Sequence, residues 1–224
     1  MSNLDLWDSV KTTDPEFTKE VKMRGGFTSI SPQYQIMQAT EQFGSYGSGW
    51  GFISIDLNLD HIEALGVVMV KAVFFYTQEG TRHTFPINNS WSVKSGSKVD
   101  DDFAKKAETN TMSKALSKLG FSADIFMGQF DNPDYVKAIT NEFDLEKAED
   151  KIEEGQRQLD EYQLWVESSL ELTKTCQSQN ELKKLFTGQV RKAQLYKDQA
   201  TVQRFNKAKD ERKLELEAKD DKPV

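Results

Sequence analysis

The chain has 224 residues, 37% of them hydrophobic and 29% charged, with a formal net charge of −7 and an isoelectric point near 5.1. That length suffices for one medium domain with an appendage, or for two small domains, with a sizeable core. The charge excludes a domain that grips nucleic acid by net charge alone. The single cysteine, Cys176, excludes an intrachain disulfide and a cysteine-rich zinc site, and the absence of any run of about 18 apolar residues excludes a membrane-spanning helix.

The opening MSNLDLWDSV has neither the basic start nor the apolar middle of a secretory leader, so the expectation is a cytoplasmic protein. Ser2 to Gly26 is mixed and polar, punctuated by Pro15 and Gly25-Gly26, and reads as a short helix or loop with Trp7 as its docking anchor. Ser31-Pro32 starts a helix, in which Tyr34, Ile36, Met37, Ala39, Thr40 and Phe43 recur at helical spacing as far as Gly44. SYGSGWG, residues 45–51, is glycine-rich with two aromatics. It lacks the lysine and the preceding strand of a nucleotide-binding loop, so it reads as a plain turn. Phe52, Ile53, Ile55, Leu57 and Leu59 then alternate loosely, and Val67 to Tyr76 is a branched and aromatic strand. Gln78-Glu79-Gly80-Thr81 is a hairpin tip from which Arg82 to Ile87 returns, and WSVKSGSK (91–98) connects to a central helix.

That helix is written over residues 99–120. Phe103, Ala107, Met112, Ala115, Leu116 and Leu119 fall mainly on one side, with Lys105, Lys106, Lys114 and Lys118 off the stripe. Asp100, Asp101 and Asp102 suit its first turn and Gly120 its stop. Lys114 and Lys118 are four apart and share a face, able to present two ammonium groups to a phosphate backbone. The order helix, meander, helix predicts an α+β fold, an antiparallel sheet with helices on one face.

From Asp134 a helix runs toward Ala148, and Glu142 to Gln158, dense in charge and interrupted by Gly155, reads as a linker or a solvated helix. The expected organisation is a domain over residues 1–140, a charged linker over 141–158, a helical module over 159–217 and a disordered tail over 218–224. Leu159, Tyr162, Trp165, Val166, Ser169 and Leu172 mark the module's first helix. A short second one follows the break at Ser178-Gln179, and a third spans Gln189 to Glu217. Residues 1–140 hold 13 basic against 17 acidic residues, and 141–224 hold 16 against 19, so neither part is a basic domain.

Catalytic constellations are thin. His61 and His83 read as surface or strand residues, Cys176 as a packing residue, and Asp100 to Asp102 as helix capping in preference to a Mg²⁺ site. The expectation is a protein that is not an enzyme and uses no cofactor.

The run AETNTMSKALSKLGF, with Lys105-Lys106 upstream and DNPDYV downstream, resembles the annealing domain of the Rad-fifty-two superfamily of single-strand annealing proteins in its C-terminal half. ISPQYQIMQATEQFGSYGSGWG is similar to the helix and Gly-Trp turn near that domain's start, and the hairpin between has matching length. The resemblance spans roughly residues 20–140. The opening WDSVKTTDPEFTKEVKMRGGFTSI looks like the bacteriophage branch, the Sak-type recombination proteins.

This resemblance implies a β-β-β-α core that assembles side by side into a homo-oligomeric ring holding single-stranded DNA, and the annealed duplex intermediate, in an outer groove. Lys114 and Lys94 match backbone-contacting positions of the family, and Tyr46 matches an aromatic beside the DNA. Other family basics fall on Ser113, Ser117, Tyr34 and Gln78. Lys118 and Arg82 stand close to lost positions and are expected to compensate, and Lys105 and Lys106 complete the expected DNA-binding set. Phage annealing proteins often carry a separate partner-binding helical domain. Residues 159–217, with Tyr162, Trp165, Phe186, Tyr196 and Phe205 and the basic Lys183, Lys184, Arg191 and Lys192, are accordingly expected either to pack as a bundle or to dock a single-strand-binding protein or exonuclease. Two alternatives stand beside annealing: an adaptor working through this module, and a metal-dependent nuclease using Asp100 to Asp102.

Overall fold

A computed structural model of the chain describes residues 4–22, 26–95 and 98–220, which form two contiguous units, Met1–Asp131 and Asn132–Val224. The first begins with α1 (Asp5–Val10) and a short 3₁₀ turn at Pro15–Phe17, followed by β1 (Thr18–Val21) antiparallel to β2 (Phe27–Ile30). The sequence reading has only a helix or loop here. The four-residue strands TKEV and FTSI hold too few apolar positions to register as alternation. Helix α2 (Pro32–Phe43) starts with Pro32 in its first turn and stops at Gly44, whose φ of +87° suits a residue without a Cβ. The Ser31 hydroxyl makes no capping bond.

Next come β3 (Trp50–Asn58), α3 (Ile62–Leu65), β4 (Val67–Gln78) and β5 (Thr81–Ser92), the three strands forming an antiparallel sheet in the order β3-β4-β5. A bulge between Phe52 and Ser54 is why the β3 alternation is loose. At the hairpin tip Glu79 and Gly80 have φ of +51° and +75°, the pair of positive angles that a two-residue type I′ turn needs. Strand β5 continues past the expected end at Ile87 to Ser92. Asn88, Asn89 and Ser90 are weak strand formers, and pairing with Lys71, Val70 and Met69 of β4 overrides their preference. Among the described residues β4 is the partner strand of both β3 and β5, so Pro86 sits on an edge strand where no second ladder needs its missing N–H.

The short pair β6 (Lys94–Ser95) and β7 (Lys98–Val99) leads into α4 (Phe103–Ser117), and α5 (Ala123–Phe126) follows. Strand alternation puts Val68, Val70, Ala72 and Phe74 of β4, with Phe85, Ile87 and Asn89 of β5, on the face covered by α2 and α4. One core there joins Ala39, Phe43, Trp50, Phe74, Leu116 and Phe121. A second joins Val68, Val70, Val93 and Ala107. The fold class is therefore α+β, with helices on one face of the sheet. On α4 the anticipated stripe is buried at Ala107, Ala115 and Leu116 and partly buried at Phe103, Met112 and Leu119, and Thr111 joins it by donating its hydroxyl to the Ala107 carbonyl at 2.7 Å. Trp7 is an anchor, since a Cβ on Gly120 would lie 2.8 Å from its ring. The N-terminal segment is pinned again where Asp124, buried, accepts the Thr13 N–H and hydroxyl at 2.7 Å each.

The second unit consists of α6 (Pro133–Lys147), α7 (Lys151–Thr175), α8 (Gln179–Leu195) and α9 (Gln199–Asp220). Of the two readings of residues 141–158, linker or solvated helix, the helix holds: they are the end of α6 and the start of α7, whose N-cap Asp150 accepts the Ile152 and Glu153 N–H groups. Gly155 lies inside α7 and is not an interruption; a Cβ there would stand 3.8 Å from Leu145 of α6, an ordinary contact. The last break comes at Tyr196 to Asp198 and not near Gln189, because Lys197 turns left-handed (φ +55°) and Asp198 caps Thr201 N–H at 2.9 Å. Helix α9 reaches Asp220, and residues 221–224 of the expected disordered tail lie outside the described residues.

Candidate nucleic-acid interface

Helix α4 runs antiparallel along β5. Near its start Ala107 packs with Val93, in its second half Lys114 reaches Asn89, and just beyond its end Lys118 reaches Phe85. Asn89 is 9% exposed and is a polar node in this seam. Its amide nitrogen donates to Asn110 Oδ1 at 2.9 Å and Thr111 Oγ1 at 3.1 Å, which leaves its carbonyl oxygen to accept the Lys114 ammonium at 3.4 Å. An amide orients the cation without cancelling its charge. The Lys118 ammonium stands 6.0 Å from the Phe85 ring centre. Both lysines are exposed, one helical turn apart, and among the described residues neither has a carboxylate within ion-pairing distance.

The other expected residues divide. Lys94 is exposed at the opposite end of β5 from the hairpin tip, with its chain beside Gly66. Lys106 is held by Asp100 at 2.7 Å. This contact lowers the Asp100 carboxyl below the usual range and raises Lys106 above its own, so its charge is locally cancelled. Asp100 also accepts the Asp102 N–H at 3.3 Å, so it is Asp100, and not the N-cap Asp102, whose carboxylate supports the start of α4. Lys105, nine positions before Lys114, lies two and a half turns away and so on the other side of α4. Arg82 faces away from α4 altogether. It alternates with His83 and Phe85, and its guanidinium lies 3.8 Å over the Phe75 ring on the opposite face of the sheet.

Tyr46, 52% exposed, packs edge-on against Trp50 and stands, like Phe75, against the backbone of Gly51. Burial first, and then the charge of Glu108, raises its hydroxyl above the ordinary tyrosine value. The glycine-rich turn around it spends its amides internally. Gly47 N–H goes to Trp50 O at 2.7 Å and Gly49 N–H to Ser45 O at 2.7 Å, and a Cβ on Gly49 would meet Phe43 O at 1.8 Å. Gly49 thus serves close packing on the end of α2, and the N–H groups of Gly47 and Gly49 are not turned outward to a phosphate.

The structure thus gathers Lys114 and Lys118 on the α4–β5 seam, with Lys94 beyond its end, and does not bring Arg82, Tyr46 or Lys105 to it. Asn89 was missed in the sequence, although an Asn pair inside an apolar hairpin is a signal in itself, since strands are depleted in Asn. Among the described residues no group of three or more histidine, cysteine, aspartate or glutamate side chains is placed to hold a metal ion.

In the second unit the aromatics largely pack the bundle. Tyr162 stacks on Tyr196 at 4.5 Å, Trp165 meets Phe205 edge-on at 5.6 Å, and Phe205 is fully buried. Lys192 is drawn in over Trp165 at 4.2 Å, where burial lowers its pKa, and is not available as a surface cation. A groove of about 420 Å³ remains between α8 and α9, floored by Leu182 and Phe186 and rimmed by Lys183, Lys209 and Lys213. No family model matches the chain, and no curated protein matches it.

Proposed function

We propose that this chain binds single-stranded DNA through its phosphate backbone along Lys114 and Lys118 and anneals complementary strands without ATP, as a ring-forming phage recombination protein of the bacterial cytoplasm. The observation that carries the reading is the pair of adjacent, uncompensated ammonium groups on an acidic protein, one of them oriented by a buried amide. The resemblance of residues 20–140 to annealing domains agrees with it.

A lysine facing a phosphate releases condensed counterions, and a ring repeats the same short patch in every subunit, so a weak local site adds up along one strand. Contacts to the backbone leave base edges free to pair with a second strand. Strands β3 and β5 each have an unpaired side among the described residues, which is the kind of edge through which copies join.

Lys114→Ala and Lys118→Ala should each weaken single-strand binding and lower the slope of log affinity against log salt by about 0.7, whereas Lys106→Ala should change both far less. Fluorescence anisotropy with a labelled oligonucleotide over a salt series measures this. A folded Lys114/Lys118 double variant with unchanged affinity and slope refutes the assignment.

A second reading, an adaptor acting through the helical unit, is favoured by the α8–α9 groove, whose three lysines around an apolar floor suit an acidic peptide with a hydrophobic anchor. Annealing of bare strands by the full chain separates the two, because an adaptor alone gives none; removing residues 132–224 then tests docking, which predicts loss of annealing on protein-coated strands alone.

A further inference from the structure

We propose that the groove between α1 and the tip of the β4–β5 hairpin is a stacking pocket for one unpaired nucleobase of a strand whose phosphates lie on Lys114 and Lys118. This rests on the single-strand reading above and adds to it a contact with the base itself.

The groove holds about 560 Å³ and is lined by Leu6, Trp7, Tyr76, Glu79, His83 and Lys118, among others. Its aromatic wall is fixed by sheet register. Tyr76 and His83 are directly paired across β4 and β5, and their rings stack at 5.0 Å and 22°. Tyr76 is partly buried, so the pair is anchored on one side, while His83 is exposed and lines the groove. Across the groove Trp7 is held against Gly120, where only a residue without a Cβ lets its ring approach. A rigid aromatic with a free face accepts any base, since every base has a π-face. The hairpin-tip side chains Gln78, Glu79 and Thr81 supply both donors and acceptors at the rim, so no single base edge is preferred.

Continuity with the lysine pair selects a nucleic acid over other occupants. Lys118 belongs to both features: its ammonium lies by Phe85, two residues along β5 from His83, and its side chain lines the groove. A phosphate on Lys118 therefore brings the attached nucleoside to the mouth of the pocket. Sequence reading passes His83 over as a strand residue because its partner, Tyr76, becomes visible only once the register is known.

The test compares oligothymidylate with an abasic phosphodiester strand of equal length, by anisotropy, on the full chain. His83→Ala should lower affinity for oligothymidylate about tenfold, the worth of about one stacked base, and leave both the abasic-strand affinity and the salt slope unchanged. His83→Tyr, which keeps a ring, should restore the thymidylate affinity, and Lys118→Ala should weaken both strands. Unaltered thymidylate binding by His83→Ala, with Lys114→Ala still weakening it, overturns the pocket and leaves the backbone site standing. A His83→Ala variant that changes particle size in light scattering, and not base dependence, also overturns it and marks the groove as a contact between copies. No binding of either strand by the parent protein overturns the single-strand reading together with the pocket.

Discussion

Lys114 is held by Asn89 and not by a carboxylate, and this choice of partner can be tested by substitution. Asn89→Ala would leave the Thr111 and Asn110 side chains without their amide donor in the seam and release the Lys114 ammonium to swing freely. The unfolding free energy should fall by roughly 1–3 kcal/mol in urea titration, and single-strand affinity should drop less than in Lys114→Ala, since the charge survives. Asn89→Asp is the sharper probe. A carboxylate at that point would pair with Lys114 and neutralise it, so affinity should fall and the salt slope flatten about as much as in Lys114→Ala. The lysines were legible from spacing alone. Spacing also puts Lys105 on the other side of the helix, but what set Lys114 apart from Lys106 was not legible, because it depends on a strand residue 25 positions away from Lys114 and on the Asp100 ion pair.

Among the elements, the long hairpin and the central helix could be read directly, since the turn residues, the apolar run and the three-and-four stripe point the same way. The features that escaped notice depend on pairing or on the approach of a neighbour. Pairing with β4 holds the polar end of β5, and Gly155 is simply carried within α7. The helical unit depends likewise on contacts beyond pattern. Arg212, 8% exposed on α9, donates its Nε and Nη2 to the Cys176 carbonyl at 3.0 and 2.6 Å, capping the end of α7. Arg212→Ala should destabilise this unit by roughly 1–3 kcal/mol through the unsatisfied carbonyl, measured by urea unfolding followed at 222 nm. A pH test uses Tyr162, whose hydroxyl is pushed up to about 12 by burial first and by the charge of Asp198 second. Unfolded, it ionises near the ordinary 10.0, so between these values the unfolded chain holds fewer protons and stability falls as pH rises. The urea midpoint of the parent should therefore drop from pH 9 to pH 11 more steeply than that of Tyr162→Phe.

For the whole molecule, the boundary at Asp131 and Asn132 replaces the one expected near residue 140, because α6 packs with α7 and α8 and belongs to the second unit. A chain ending at Asp131 should fold, bind single strands and retain any large assembly in light scattering. One ending at Glu142 should be less soluble, since it carries most of α6 without the helices that bury Ile139. Contiguity of the two units has a consequence in time. At roughly 5–20 residues per second, synthesis of residues 132–224 takes about 5–20 s, and for the part of that interval after Phe121 has left the ribosome the first unit has all the sequence its core needs. Its sheet edges at β3 and β5 then emerge before α7 to α9 exist, so neighbouring nascent chains on one messenger can meet edge to edge while their helical units are still being made.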